Sequence, residues 1–291
     1  YEEQLKFSPL QLTFQGRKDL YDQIDDLSEK AQLDQVAWQK ASVEEMEKTF
    51  DYAKLSDEGK LSYDLWKLQY ENARDGLPFL VDGYAFDQMN GAQSFFPTVM
   101  ISFHKVEEES DYTAYVSRLN ASARAFDQLL ERARKSAGQG IRPPRFAYEG
   151  VIDQSKKVIA GAPFSAGKDS AIWADAQAKA DALVKNGKVS AERGAALKEE
   201  ARKALLEQFK PAYERVIAWC EEDLPNADEN ATGVGSTHPN GKAYYEYQLR
   251  QMTTTNMTAD EIHALGLKEV ERIKGEMTAL KDKVGFKGDL D

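Results

Sequence analysis

Histidine side chains are the first to test for zinc binding and acid–base chemistry, and this chain has three, His104, His238 and His263. A helical zinc site of the His-Glu-x-x-His type needs two histidines four positions apart, because only then do both project from one helix face. No pair of histidines in this sequence has that spacing. Glu261 and His263 are two positions apart, so on a helix their side chains diverge by about 200°. The sequence therefore predicts no metal ligand, no cofactor and no catalytic residue in this chain.

Nucleophilic and phosphate-binding chemistry are not indicated either. The sequence has no Gly-x-Ser-x-Gly segment of the kind that exposes a catalytic serine. The glycine-rich segment 233–236 lacks the lysine and the spacing of a phosphate loop, and we expect it to be a flexible loop. Cys220 is the only cysteine. It lies in an apolar segment without a neighbouring histidine, which favours a buried, unreactive thiol over a nucleophile.

A polar and aromatic segment near the end of the chain is the best candidate for substrate contact. Tyr244 and Tyr245 each offer an apolar ring and a hydroxyl, a combination that recurs in binding clefts. Thr254 and Thr255 belong to a β-branched run that favours extended backbone, which could present its backbone groups to a peptide. We predict that these four residues contact substrate, with His263 behind them. The alternatives are that the tyrosines pack in the core and that the histidine is a half-buried hydrogen-bonding residue.

Apolar residues repeat with helical spacing along most of the chain, and residues that start or end helices flank these repeats. Ser56, Ser110 and Ser190 are predicted N-caps, and Gly138 is predicted to end the helix that Ser110 begins. Pro211 is expected to kink the helix that follows Ser190. Apolar residues follow two of these caps at helical spacing: Leu61, Leu65 and Leu68 after Ser56, and Leu197, Ala201, Leu205 and Phe209 after Ser190. Pro143-Pro144 is expected to precede a further helix that runs through Val158.

The last predicted helix has the most regular pattern. Thr258 and Glu261 form a Thr-x-x-Glu capping box at its start. An apolar stripe with alternating spacings of four and three follows, typical of a heptad seam that packs against another helix: Gly266, Val270, Ile273, Met277, Leu280 and Val284. We therefore predict a mainly α fold, a multi-helix array of long antiparallel helices with at most a small strand element. The region 1–291 is interpreted as one helical region without an internal boundary.

Composition narrows the function classes. Hydrophobic residues make up 42% of the 291 residues, enough for a sizeable core. The formal net charge of −11 argues against a general nucleic-acid binder, which needs a basic surface. No apolar run approaches the roughly 18 residues that a membrane-spanning helix requires. We therefore predict neither a nucleic-acid partner nor a transmembrane segment.

The order of several short segments resembles one bacterial protein family, domain of unknown function 885. The most specific block consists of Gly241, Tyr244-Tyr245, Thr254-Thr255, Glu261-Ile262-His263, Leu265-Gly266 and Glu269-Val270. Weaker matches lie at Phe7 to Leu10 with Thr13 and Gly16, at Tyr21 and Asp25 to Ser28, at Phe96-Pro97, at Tyr115 with Arg118-Leu119, and at Gly140 with Pro143-Pro144. Many members of this family are predicted lipoproteins or secreted proteins. The resemblance thus implies an extracytoplasmic location, periplasmic or lipid-anchored at the cell envelope.

The family resembles zinc metallopeptidases, and its characteristic motif is a variant of His-Glu-x-x-His in the C-terminal half, with Pro and Gly inserted before the second His. This chain lacks that motif. The resemblance therefore covers what we expect to be the N-terminal half of a longer protein. The implied zinc, which would activate water for hydrolysis of a peptide, then belongs to the parent protein, and the missing C-terminal half is the expected partner.

Two main interpretations of function remain open at this point. In the first, the chain is the non-metal-binding half of a zinc-dependent peptidase-like protein, forms one wall of the substrate cleft and is inactive alone. This interpretation predicts an exposed apolar seam on the last helix. In the second, the chain is a self-contained helical binding or interaction protein without catalysis. A purely structural scaffold is a third interpretation, although the seam at 266–284 spans fewer than three heptads.

Overall fold

Helices form the regular secondary structure of residues 1–289, the part of the chain that the computed structural model describes. In chain order the α-helices are α1 (Glu2–Leu5), α2 (Pro9–Phe14), α3 (Glu29–Thr49), α4 (Asp57–Gly76), α5 (Ala92–Thr98), α6 (Glu109–Gly138), α7 (Arg145–Val158), α8 (Ala171–Lys185), α9 (Ala191–Ala204), α10 (Lys210–Asp223), α11 (Val234–Thr237), α12 (Gly241–Thr253) and α13 (Ala259–Lys283). Within residues 1–289 there is no β-strand, only an isolated parallel bridge between Ala162 and Asp169. The predicted mainly α, multi-helix fold is confirmed.

Helix α6 forms the centre of the core. Its buried side chains include Tyr112, Tyr115, Leu119 and Phe126, whose spacing puts them on neighbouring parts of one helix face. This face packs against α8, α9 and α10. The ring of Phe126 lies 4.9 Å from the ring of Tyr213 on α10, centroid to centroid. The core is therefore built around one long helix that several later helices cover.

The start of α6 differs from the predicted one. Glu108, not Ser110, is the N-cap, and it forms a capping box with Asp111. The Asp111 carboxylate accepts hydrogen bonds from the backbone N–H of Glu108, at 3.0 Å, and of the residue before it, at 2.9 Å. A carboxylate accepts such bonds more strongly than a serine hydroxyl does, so the acidic pair sets the start of the helix. The predicted end at Gly138 is confirmed.

A continuous helix runs from α9 to α10 through a π-helical turn at Leu205–Phe209. Pro211 lies in the first turn of α10, directly after this wide turn. Proline has no backbone N–H and its ring clashes with the carbonyl four residues earlier, so an α-helix cannot continue regularly through it. The predicted distortion near Pro211 thus takes the form of a π turn. A second π turn, Val99–Phe103, follows α5, which contains Pro97.

Most of the other predicted helix starts are confirmed. The hydroxyls of Ser56, Ser190 and Thr258 accept hydrogen bonds from backbone N–H groups three residues later, and Pro144 precedes the first residue of α7. Helix α4 packs against α3, where the rings of Trp38 and Trp66 meet at 5.7 Å, centroid to centroid. The predicted apolar stripe of α4 is exposed instead of buried: Leu61, Leu65 and Leu68.

Backbone contacts divide the chain into two compact units, Tyr1–Thr232 and Gly233–Asp291, called here the N-terminal and C-terminal units. The N-terminal unit contains α1 to α10 and the buried core. In the C-terminal unit, α11 packs closely against the start of α12, where a Cβ on Gly241 would lie 1.9 Å from the carbonyl oxygen of Val234. The sequence offers no signal for a boundary at residue 232, and the interpretation of 1–291 as one helical region stays a prediction.

Candidate functional site

The predicted substrate-contacting residues all lie in the C-terminal unit, on α12 and α13. Tyr244 and Tyr245 lie in the first turn and a half of α12. Tyr245 is exposed, whereas Tyr244 is half-buried and its ring is nearly parallel to that of His238, at 6.2 Å between centroids. Thr254 follows the end of the same helix, nine residues after Tyr245, which corresponds to about 14 Å along the axis. The tyrosines and threonines are therefore at opposite ends of α12.

The threonine run ends α12 instead of forming the extended segment that we expected. Thr253 donates its hydroxyl proton to the carbonyl of Leu249 at 2.7 Å, and its hydroxyl lies 3.0 Å from that of Thr255. Thr254 adopts a left-handed conformation with φ of 53° and donates to the carbonyl of Thr253 at 2.7 Å. Threonine hydroxyls can satisfy backbone groups locally in this way, which competes with extended structure. The run therefore acts as a turn between two helices.

His263 lies in the second turn of α13, and its side chain is exposed. Glu261, in the preceding turn, is already engaged in the capping box. Its carboxylate accepts hydrogen bonds from the backbone N–H of Thr258 at 2.8 Å and from the Thr258 hydroxyl at 2.9 Å. These bonds hold the pKa of Glu261 below its ordinary value. Both side chains are exposed, but Glu261 is engaged as a helix-capping group.

A polar cluster that sequence reasoning did not single out lies in the core of the N-terminal unit. Arg118, on α6, has no solvent exposure. It donates hydrogen bonds to the carbonyl oxygens of Gln23 at 2.8 Å and Pro9 at 3.4 Å, to the hydroxyl of Thr13 at 2.7 Å and to His104 Nδ1 at 3.1 Å. Its guanidinium carbon also lies 4.9 Å from the centroid of the Tyr21 ring. We call these six residues the Arg118 cluster.

The hydrogen bonds of His104 fix its protonation state. Arg118 can only donate, so Nδ1 of His104 must accept, and the proton resides on Nε2. That nitrogen lies 2.9 Å from the carbonyl oxygen of Asp111, to which it donates. Burial lowers the pKa of His104 to about 3. A neutral imidazole with both nitrogens occupied is not placed to transfer protons at neutral pH, so the cluster is structural.

Lys18 extends the Arg118 cluster towards the surface. Its ammonium group lies 2.8 Å from the carboxylates of both Glu107 and Asp111. Burial alone would raise the pKa of Asp111, but the hydrogen bonds from Lys18 and from two backbone N–H groups hold it below its ordinary value. Thr13, Tyr21 and Arg118 are among the residues that carry the resemblance described above. The shared membership of these residues in the family pattern is the one sequence signal that could have predicted their contact.

The apolar stripe of α13 is exposed to solvent. Its members after Gly266 are large residues, and each has at least 44% of its surface accessible: Val270, Ile273, Met277, Leu280 and Val284. An amphipathic helix normally buries such a stripe. The charged residues of the helix form pairs among themselves, as Arg272 does with Glu269 and Glu276, both at 2.7 Å. Among the described residues of the C-terminal unit, nothing covers this apolar stripe.

The part of the chain that the structure describes holds neither a metal-binding group nor a membrane-spanning helix. No group of three or more His, Cys, Asp or Glu side chains in residues 1–289 is placed to hold a metal ion. None of the described helices has both the length and the apolar character needed to cross a membrane. Cys220 is buried, and burial together with the nearby Asp223 carboxylate raises the pKa of its thiol to about 12. The expected buried thiol is confirmed.

Comparison with known proteins gives both a fold and a family. The crystal structure of a protein from Colwellia psychrerythraea, described as "the putative lipoprotein", matches 98% of this chain with a TM-score of 0.80 and 19% identity. The matched part is 49% of that protein, so this chain spans about half of its length. A comparison with curated proteins gives no match. The model of a bacterial protein family of unknown function, DUF885, matches residues 9–291, and the chain therefore belongs to the DUF885 family.

Proposed function

We propose that this chain is the N-terminal, non-metal-binding half of a longer zinc-dependent peptidase-like protein, and that it forms one wall of the substrate cleft. The observation that supports this most directly is the coverage of the fold match. Nearly the whole chain corresponds to only 49% of the Colwellia protein. A parent of similar length would add a second half as large as the first, and the family resemblance implies a metal motif in that half.

The apolar stripe of α13 supports the same proposal. The helix has 25 residues, and its stripe runs almost to its end. Exposed apolar surface of this extent in a soluble protein marks a contact with another chain or segment. The second half of the parent is the cover that we propose. A helix from that half, packed along the four-three repeat, would bury the stripe as in a short coiled coil.

Residues 1–289, which the structure describes, do not fit a zinc site. A catalytic zinc needs three side-chain ligands around one point, and no such group occurs in residues 1–289. Any zinc of the whole protein would then be held by the second half alone. This chain would contribute binding surface and would be inactive by itself.

The predicted contact residues give the cleft wall its proposed chemistry. Tyr245 exposes its ring and hydroxyl on α12, a surface that can stack against and hydrogen-bond to a peptide. Thr254 and Thr255 are exposed at the other end of the helix. We propose that these residues and Tyr244 contact a peptide substrate, with His263 behind them.

We also propose an extracytoplasmic location, periplasmic or lipid-anchored at the cell envelope. The Colwellia protein is described as a putative lipoprotein, and the family resemblance points in the same direction. A lipid anchor would attach the protein without a membrane-spanning helix.

The first test is to sequence the gene beyond the codon for Asp291. The proposal expects the reading frame to continue and to encode a His-Glu segment followed by Pro-Gly-His. A stop codon at that position contradicts the proposal and leaves the self-contained binding protein as the better account.

A labelling experiment tests the proposed cover of α13. Ile273→Cys puts a thiol on the apolar stripe, and Glu271→Cys puts a matched thiol two positions away, on another face. The native Cys220 should not interfere, because its thiol is buried and its pKa is raised. In the isolated chain both new thiols should react with maleimide at similar rates. In the longer protein the thiol at 273 should be protected at least about tenfold relative to the thiol at 271, and equal rates in both proteins would refute the packing.

Kinetics of the longer protein test the cleft wall. Tyr245→Ala should raise KM or lower kcat for peptide hydrolysis, and Tyr245→Phe separates the contribution of the hydroxyl from that of the ring. Tyr52→Ala is a matched control, since Tyr52 is similarly exposed but lies in the N-terminal unit. Unchanged kinetics in Tyr245→Ala would remove this residue from the site.

A self-contained binding protein is the second candidate. The observation in its favour is that the N-terminal unit has a large core of its own, with Tyr112, Leu197, Phe209 and Tyr213 fully buried. It predicts cooperative unfolding of the chain alone and a ligand that raises its melting temperature.

A further inference from the structure

A cavity of about 270 Å³ lies in the N-terminal unit, between α2, α5 and α6. Its floor consists of buried side chains, chiefly Ile24, Phe96, Phe126 and Leu129. Of the twelve lining residues ten are apolar, and the two polar ones are Asp25 and Asn90. The cavity is therefore an apolar chamber with a small polar part.

The size and polarity of this cavity decide what can fill it. An apolar cavity of about 150 Å³ stays free of water and takes up benzene, so a chamber of 270 Å³ has room for a bicyclic aromatic ring system. The rings of Phe96 and Phe126 meet edge to face at 6.3 Å, centroid to centroid. Aromatic rings favour edge-to-face or offset partners, and these two rings can offer such contacts to a guest.

Asp25 gives the cavity its one charged group. One carboxylate oxygen accepts from the backbone N–H of Leu10 at 3.0 Å, and the other accepts from the hydroxyl of Ser8 at 2.7 Å. A carboxylate has about four acceptor positions, so about two remain for a ligand. Asp25 is thereby held in place by the chain while still able to accept a hydrogen bond. It favours a ligand that donates an N–H or O–H.

Access to the cavity is marked by aromatic residues. Phe95 lines it and has 47% of its surface exposed. The ring of Phe14 lies 5.9 Å from that of Phe95 and 4.7 Å from that of Phe103, centroid to centroid, and all three rings are partly exposed. An apolar surface therefore leads from solvent to the cavity.

We infer that this cavity is a binding site for a small bicyclic aromatic compound that carries one N–H or O–H donor. The rings of the ligand fill the apolar chamber, and its donor bonds to the Asp25 carboxylate. This site lies wholly within the N-terminal unit and uses none of the residues proposed for the peptide cleft. The test of this site is therefore independent of the proposed peptidase function.

The test is calorimetric titration of the full chain with indole, which has a bicyclic ring system and one N–H. We expect saturable binding with a Kd below about 1 mM, within the range reached by ligands of this size. Indene, which has the same shape without the N–H, should bind at least about tenfold more weakly, as expected for the loss of one hydrogen bond to a charged acceptor. Absence of saturable heat with indole up to its solubility limit overturns the inference. Equal affinity for indene overturns the role of Asp25.

Variants that fill the cavity locate the site. Ala92→Leu and Ala85→Leu each add three carbon atoms to its lining and should weaken indole binding at least about tenfold, because the added atoms take the space of the rings. Ala195→Leu, at an exposed position of α9, is the matched control and should bind indole as the unchanged protein does. Unchanged affinity in both filled variants would place binding elsewhere and refute the assignment. If a variant fails to fold, methyl NMR of the unchanged protein decides, since indole should shift the resonances of Ala92 and Ala125 and not that of Ala195.

Discussion

Replacement of Arg118 by methionine should destabilise the N-terminal unit more than any other single arginine change. Methionine keeps most of the apolar volume but removes every donor of the guanidinium. Nδ1 of His104 and the carbonyl oxygen of Gln23 then lose the donor that Arg118 provides. The Pro9 carbonyl and the Thr13 hydroxyl also lose Arg118 but keep their bond to each other at 3.2 Å. Arg118 also connects segments that are far apart in the chain, so its removal loosens the contact of these segments with α6.

The magnitude follows from the balance of two effects. Each acceptor left without a donor costs about 1–3 kcal/mol, which is about 2–6 kcal/mol for the two of them. The variant also avoids the desolvation of a buried charge, which offsets part of this loss; the same desolvation lowers the pKa of Arg118 to about 10. We expect a net loss of about 3 kcal/mol in the free energy of unfolding. At about 2–4 °C per kcal/mol for a unit of this size, the melting temperature should fall by about 6–12 °C.

Tryptophan fluorescence during urea unfolding is the appropriate assay, because all four tryptophans belong to the N-terminal unit: Trp38, Trp66, Trp173 and Trp219. Arg118→Lys should lose roughly half as much as Arg118→Met, since an ammonium keeps the charge but cannot reach acceptors arranged around a planar fork. Arg124→Met is the matched control. Arg124 also bonds to backbone carbonyls of residues 24 and 25, at 3.1 and 3.4 Å, but its side chain is 44% exposed, so we expect a loss below about 1 kcal/mol.

The reasoning would be refuted by equal losses in Arg118→Met and Arg124→Met. It would also fail if hydrogen exchange showed residues 9–24 as protected in Arg118→Met as in the unchanged protein. In that case the bonds of Arg118 would not hold this segment on α6.

Three further predictions follow from single residues. His104 is neutral when folded, with a pKa of about 3 against 6.5 when unfolded, so its contribution to stability is complete above pH 6.5 and is lost as the pH falls towards 3. This loss should reach about 2 kcal/mol at pH 5, and His104→Gln should remove that part of the pH dependence between pH 6.5 and 4.5 in urea titrations. Cys220 should react with iodoacetamide at pH 8 more than about a thousandfold more slowly than a free cysteine, because little thiolate exists at that pH. Mass spectrometry of the native and the urea-unfolded chain measures the two alkylation rates. Comparable rates would contradict the buried position of Cys220. Thr258→Ala should lower the helicity of α13 and cost about 1 kcal/mol by removal of the cap, whereas Thr278→Ala, inside the same helix, should have little effect on circular dichroism.

Local features of this fold were predictable from the sequence, and long-range ones were not. The caps at Ser56, Ser190 and Thr258 depend on residues three positions apart, so short patterns suffice to find them. The cap of α6 was predicted at Ser110 instead of Glu108, because a serine two residues later fits the same short pattern. The Arg118 cluster joins positions separated by about a hundred residues, and no local pattern encodes such a convergence.

The arrangement of the candidate site residues in space was also not predictable from their order in the sequence. The predicted tyrosines and threonines are neighbours in sequence, but α12 separates them by its own length, since each residue adds about 1.5 Å along the axis. The threonine run was expected to be extended from its β-branched side chains. In the structure its hydroxyls bond to nearby backbone and side-chain groups, and this local competition outweighs the propensity. The stripe of α13 was identified correctly as an apolar repeat, but a repeat does not specify its partner.

The π turn between α9 and α10 makes this fold tolerant of a one-residue deletion at one point. The fully buried residues before and after it repeat every four positions: Leu197, Ala201, Leu205, Phe209 and Tyr213. In a regular α-helix each step of four would rotate the side chain by about 40°, so the last residue would point about 160° away from the first. The wide turn holds about one extra residue and so takes back about 100° of this rotation. Deletion of one residue within 205–209 would therefore convert the wide turn into a regular α-helical turn and leave the direction of the buried face of α10 unchanged, whereas insertion of a further residue into a regular helical part of α9 or α10 would rotate the following residues by about 100°.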